Sequence, residues 1–157
     1  MRVSEREAEA IIDWVSRQPD LPLLAPSRVP DAVRELRDGG WRVWAAGRST
    51  AGREMPVLVW EPDGDPTVRV AAYGYPHPDE PAGATALLML ARAVSRGDHP
   101  PGLERACWHL LLCADPDQAA RNDRWIRDPS LASYLRWNWR PLYLHLEVDY
   151  HFPIDHA

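Results

Sequence analysis

The residues with the clearest chemical meaning in this chain are His77 and Glu80, in the run His77-Pro78-Asp79-Glu80. Imidazole and carboxylate are both good zinc ligands, and in a tight turn this spacing can aim both at one ion. Pro76, Pro78 and Pro81 restrict the backbone around the pair, which lowers the entropy lost in ordering it. The plainer alternative is a polar turn whose Asp79 and Glu80 place negative charge favourably at the start of a helix. A second set of donors, His145, Glu147, Asp149 and His151, alternates along 142–151 and would share one face of a strand. There the plainer alternative is a half-buried strand with Leu144, Leu146, Val148 and Tyr150 inward and the polar set in water.

Two apparent motifs fail on inspection. Gly47 and Gly52 are spaced as in a phosphate-cradling loop, but Arg53-Glu54 stands where Lys and Ser/Thr are required, and a strand follows instead of a helix. Ala51 occupies the second glycine of a G-x-S-x-G nucleophile elbow, which removes the serine-hydrolase reading.

The elements that must hold these residues follow from spacing. Ser4-Glu5-Arg6-Glu7 is a capping box, and Ala8, Ile11, Ile12 and Val15 recur at helical intervals, so a helix is expected over about 5–17. Four prolines in 19–30 make a connector. Asp31 is expected to cap a short helix through Arg37 that Gly39-Gly40 ends. Strands are expected at 41–46, 55–61, 67–73 and 105–114, with a strong turn at 62–66. The loop 74–81, which carries His77 and Glu80, leads into a helix from 82 to about 95. Residues 115–129 are polar and Arg-rich with little periodicity, 130–139 is expected to be helical and 142–150 extended. Strand, loop, helix and strand in succession predict an α/β fold: a mixed sheet with helices on its faces. In such sheets ligands gather at the carboxyl ends of strands, and the loop 74–81 is at one.

Composition narrows the classes. With 157 residues, 45% hydrophobic and 26% charged, the chain matches one globular domain, 1–157, and not a disordered segment or a coiled coil. A net charge of −5 with no clustered basic stripe argues against a nucleic-acid partner. No apolar run approaches the ~20 residues of a membrane span, and 1–10 lacks the apolar core of a secretory signal. A soluble, cytoplasmic protein with no membrane partner is the expectation. All 18 cations are Arg, with no Lys and a single Phe, which looks like GC-rich codon bias. Cys107 and Cys113, six residues apart on one strand, would stand ~20 Å from each other. A disulfide needs Cα atoms within ~7 Å, so two free thiols are expected.

Residues 47–59, Gly47-Arg48-Ser49-Thr50-Ala51-Gly52-Arg53 and the apolar strand after it, resemble the G-x-S-x-x-G-R segment of zinc carboxypeptidases of the carboxypeptidase A-like family. In that family a hairpin strand, the H-x-x-E pair and a long helix come next, and here 68–73, His77 to Glu80 and 82–95 follow in that order. Asp115-Pro116-Asp117-Gln118 looks like the family's N-P-D-G turn, departing from it at Asp115 and Gln118. The resemblance covers about 41–125 and implies the N-terminal part of a carboxypeptidase-like catalytic domain, with the sheet incomplete on its C-terminal side.

The implied function is zinc-dependent hydrolysis of an amide bond next to a free carboxylate, on a peptide or an N-acyl amino acid. His77 and Glu80 would be metal ligands, with the ion polarising the carbonyl and lowering the pKa of bound water toward ~7. Arg127 would polarise the scissile carbonyl and Arg140 would hold the substrate's carboxylate, where a guanidinium gives bidentate geometry. The family's third ligand and general base lie further along than this chain reaches, so neither His145 nor His151 inherits a role. Two other functions stand beside this one: a truncated, non-catalytic relative that binds a partner, and a zinc deacylase acting on small N-acyl amino acids. A short chain with eight Trp is expected to self-associate or to need a complementing polypeptide.

Overall fold

The structure is a computed structural model that describes residues 4–140. The extended segment expected at 142–150, with His145, Glu147, Asp149 and His151, lies outside the described residues. Six helices and four strands are described: α1 (Glu5–Ser16), α2 (Val29–Asp38), β1 (Arg42–Arg48), β2 (Glu54–Trp60), β3 (Val68–Tyr73), α3 (Pro81–Ser95), β4 (Ala106–Leu111), α4 (Pro116–Ala119), α5 (Asp123–Arg127) and α6 (Leu131–Trp137). The strands form one mixed sheet in the order β1-β2-β4-β3. β1 and β2 make an antiparallel hairpin, β2 and β4 are also antiparallel, and β3 and β4 run parallel. A parallel pair cannot be joined by a tight turn, and α3 is the crossover that joins this one. The α/β class expected from the strand–loop–helix–strand order is the one observed.

α1 starts where the sequence places it. The Ser4 hydroxyl accepts from the Glu7 N–H at 3.3 Å while the Glu7 carboxylate accepts from the Ser4 N–H at 2.8 Å. Its buried residue is Trp14, whose indole N–H donates to Asp98 at 2.8 Å. Ile11, Ile12 and Val15 remain exposed. α2 departs from expectation: Asp31 does not cap it. The helix begins two residues earlier at Val29, continuing a 3-10 turn at Pro26–Arg28. Pro30 supplies the helical φ at the first turn without needing a partner for a missing N–H, so no side-chain cap is required. Asp31 instead sits inside the first turn and pairs with Arg34 at 3.0 Å.

Gly40 ends α2 at φ +99°, a conformation that side-chain-bearing residues rarely adopt, and the Trp41 N–H then returns to the Leu36 carbonyl at 3.0 Å. That return draws Trp41 out of β1 and into the core. Its indole N–H meets the Ala91 carbonyl at 3.2 Å and Ser95 Oγ at 3.0 Å, and its ring lies 5.6 Å from that of Trp60. In β1 the pairing register slips between Ala45 and Gly47, a bulge that breaks the expected side-chain alternation at Ala46. The core gathers Val33 and Leu36 of α2, Leu88 and Ala91 of α3, and Leu58, Trp108 and Leu110 of the sheet. No described helix is long and apolar enough to cross a membrane.

β4 ends at Leu111, so Cys107 lies in the strand and Cys113 beyond it. Both thiols are buried and free. Burial pushes the Cys113 thiol up to about 12. Alkylation at pH 8 should therefore be slow in the native protein. Under denaturing, non-reducing conditions it should reach two thiols per chain, and an intramolecular bridge in the mass spectrum would contradict this arrangement.

Candidate functional site

The loop between β3 and α3 is a tight turn. The Glu80 N–H donates to the His77 carbonyl at 3.1 Å, which stacks the two side chains on one side of the turn. His77 Nδ1 and Glu80 Oε2 stand 2.8 Å apart. Pro81 then opens α3, where its fixed φ and missing N–H cost nothing. Glu80 occupies the N-cap position but makes no capping hydrogen bond with its side chain. Its carboxylate is turned toward His77 and Arg140 instead. Arg140 Nη2 lies 3.3 Å from Glu80 Oε1, and Arg140 Nη1 lies 3.7 Å from Asp79 Oδ2. Asp79 is much more enclosed than its neighbours, with 6% of its side chain exposed, and its Oδ1 has no hydrogen-bond partner.

Three anchors fix this loop. Tyr75 is the described non-glycine residue at positive φ, +53°, a conformation costing about 1–2 kcal/mol. Its buried phenol donates to the Leu24 carbonyl, and burial pushes its pKa well above the ordinary range. The Leu24 N–H donates in turn to Thr85 Oγ1 at 2.9 Å, so the Pro-rich connector is clamped between the loop and α3. The second anchor is Asn122, fully buried, with all four hydrogen-bonding positions used. Its amide N donates to the Pro78 carbonyl at 3.1 Å and the Trp139 carbonyl at 2.8 Å. Its Oδ1 accepts from the Trp125 indole and the Trp139 N–H, both at 2.8 Å. One side chain thereby ties the residue after His77 to the residue before Arg140. The third anchor is a set of arginine–tryptophan stacks: Arg121 over Trp139 at 4.3 Å and Arg124 over Trp137 at 3.9 Å.

The loop 47–53 and the turn at Asp115 are also joined. Asp117 accepts from Ser49 Oγ at 2.7 Å, the Ala51 N–H at 2.9 Å and Arg53 at 2.6 Å. Burial works to raise the Asp117 carboxyl, but these three donors outweigh it and hold the group below the usual carboxylate range. Asp115 caps α4 through the Gln118 N–H at 3.1 Å. The stretch 115–129, which shows little periodicity in the sequence, is thus mostly helical. Its pieces are α4, a 3-10 turn at Ala120–Asn122 and α5, each too short to display a repeat.

Of the four residues singled out for chemistry, His77, Glu80 and Arg140 come together. Arg127 sits at the end of α5 and pairs with Asp123 at 2.9 Å, with 61% of its side chain exposed. His77 Nδ1 and Glu80 Oε2 are hydrogen-bonded to each other at 2.8 Å, shorter than the roughly 3.4 Å that two ligands keep on a tetrahedral ion, so the pair would have to open to hold one. Among the described residues, no third His, Cys, Asp or Glu joins them. Sequence reasoning missed Asn122, which no motif marks, and did not pair Asp117 with Ser49 and Arg53 although it singled out both runs.

No family model matches the chain, and no curated protein matches it. Among solved structures, a crystal structure of a metallo-carboxypeptidase from Burkholderia cenocepacia matches with a TM-score of 0.51 and 20% identity. The match covers 60% of this chain and 27% of that one, so the chain spans about a quarter of its length. At that identity the likeness speaks for the fold alone. In fold, this chain is similar to part of a metallo-carboxypeptidase.

Proposed function

We propose that the chain is a metallo-carboxypeptidase-like module in which His77 and Glu80 are two ligands of a zinc ion and Arg140 receives the carboxylate of a peptide or N-acyl amino acid. The observation that carries this reading is the 2.8 Å approach of His77 Nδ1 to Glu80 Oε2 beside the Arg140 guanidinium. Zinc at this position supplies Lewis-acid polarisation of a carbonyl and activation of water. The chain's own part is to hold the two donors in one turn and to offer a guanidinium 3.3 Å from a carboxylate oxygen of Glu80, which a substrate carboxylate can displace. In this scheme Arg127 polarises the carbonyl, which requires it to leave Asp123.

Purified protein should take up zinc, and His77→Ala or Glu80→Ala should each remove most of that uptake. Equal zinc content in wild type and both variants, by elemental analysis, would end the metal assignment. A second reading, a binding module without catalysis, is favoured by the two-donor site among the described residues. The β3 edge of the sheet, with Val68 and Tyr73 exposed, suits it for self-association or a complementing polypeptide. Zinc uptake without hydrolysis of an acylated C-terminal residue, together with a mass above the monomer in light scattering, would select that reading.

A further inference from the structure

A cavity of about 830 Å³ lies between α2, the β1–β2 hairpin and the segment after β4, and shares no residue with His77, Glu80 or Arg140. That volume is in the range of small-molecule sites, ~300–1,000 Å³. Its apolar lining comes from Val29 and Val33 of α2, Val43 and Ala45 of β1, and Leu112 after β4. Five charged side chains also line it, and their pairing decides the sign of what it can hold. As the structure stands, Glu54 is paired with Arg48 at 2.8 Å, and Asp123 with Arg127 at 2.9 Å and with the Ser27 N–H at 2.7 Å, a bond that remains if Arg127 moves away. Arg34 is committed to Asp31 at 3.0 Å and Arg53 to Asp117 at 2.6 Å. Arg37 is left, a lining guanidinium on the last turn of α2 with no ion pair among the described residues.

A half-open cavity with an apolar valine wall and one guanidinium outside any described ion pair complements one class of ligand. We propose that this cavity binds a small amphipathic monoanion, an organic carboxylate whose apolar body lies on the valines and whose head pairs with Arg37. A neutral isostere gains the same apolar contact and loses only the charged pair, so the head group is the discriminating feature.

The test uses three probes of one shape, 4-phenylbutyrate, 4-phenyl-1-butanol and 4-phenylbutylamine, titrated calorimetrically into the whole chain. The carboxylate should bind about tenfold more tightly than the alcohol, and the amine most weakly. Arg37 is exposed on its helix, so Arg37→Ala should fold normally and bring carboxylate and alcohol within about twofold of each other. Arg37→Glu should reverse the order in favour of the amine. His77→Ala and Arg140→Ala should leave the carboxylate preference intact, which separates this site from the metal reading. Equal affinities for the three probes, no binding of any, or a preference that survives Arg37→Ala would overturn the proposal. So would a dimer that dissociates as the probe binds, since that would assign the cavity to a second copy of the chain.

Discussion

Asn122→Ala is expected to destabilise the protein by about 3 kcal/mol, because two buried and two half-buried backbone and indole groups lose their partner at once. Each unsatisfied buried group costs roughly 1–3 kcal/mol, and partial relaxation toward water reduces the sum. The loss would take a large share of the 5–15 kcal/mol that holds an ordinary domain together. Urea denaturation would measure it. Asn122→Asp separates the two halves of the bonding: it keeps the oxygen that accepts from Trp125 and Trp139 but removes the amide donor to Pro78 and Trp139. It also introduces a charge into a fully enclosed position, so it should cost at least as much as alanine. A loss under about 1 kcal/mol for Asn122→Ala would mean that Asn122 does not hold the loop against the Arg140 segment. If it does, the variant should also weaken zinc uptake through His77 and Glu80.

How much of this was readable in the sequence depends on the range of each interaction. The turn at 62–66 between β2 and β3, and the crossover from β3 through α3 to β4 with its prolines and long apolar helix, are marked by local chemistry and appear where expected. The His77–Glu80 juxtaposition is equally local, three residues apart in one turn, and spacing alone suggests it. Element ends are less readable where backbone conformation decides them. Nothing in the type of Trp41 says that Gly40 will return its N–H to α2, and the proline rule at Pro30 outranks the capping preference of Asp31. Long-range pairing is hidden altogether. Ser49 and Arg53 lie more than 60 residues from Asp117, yet they and the Ala51 N–H supply its three donors. The abundance of arginine obscured a further set, since Arg121 and Arg124 look like solvated surface and are stacked on tryptophans.

Gly74→Ala is expected to have the largest structural effect of any single methyl group added near the site. Gly74 directly follows β3 and continues the parallel pairing, its N–H donating to the Leu111 carbonyl at 2.9 Å and its carbonyl accepting from the Ala114 N–H at 3.0 Å. Its φ is not in the left-handed region, so the requirement for glycine is one of space. A Cβ at this position would lie 2.6 Å from Ala84 Cα and 2.6 Å from the Leu112 carbonyl oxygen. One obstacle is the backbone of α3 and the other the backbone leaving β4, and neither can move aside by changing a rotamer. Overpacking a core by a methyl costs typically ~1–3 kcal/mol where side chains can yield. With backbone on both sides, a loss of about 3 kcal/mol or more is expected, measured as a fall in the urea midpoint with the slope unchanged. Relief is available only by pushing α3 away from the sheet, and α3 begins one residue after Glu80. The same variant should therefore lower zinc uptake by the folded fraction, whereas Gly83→Ala should be nearly neutral: its Cβ would meet nothing closer than Gly74 Cα at 3.9 Å. A Gly74→Ala protein as stable as wild type would show that α3 is not pressed against the strand ends, and that the close approach does not set the position of the His77–Glu80 turn.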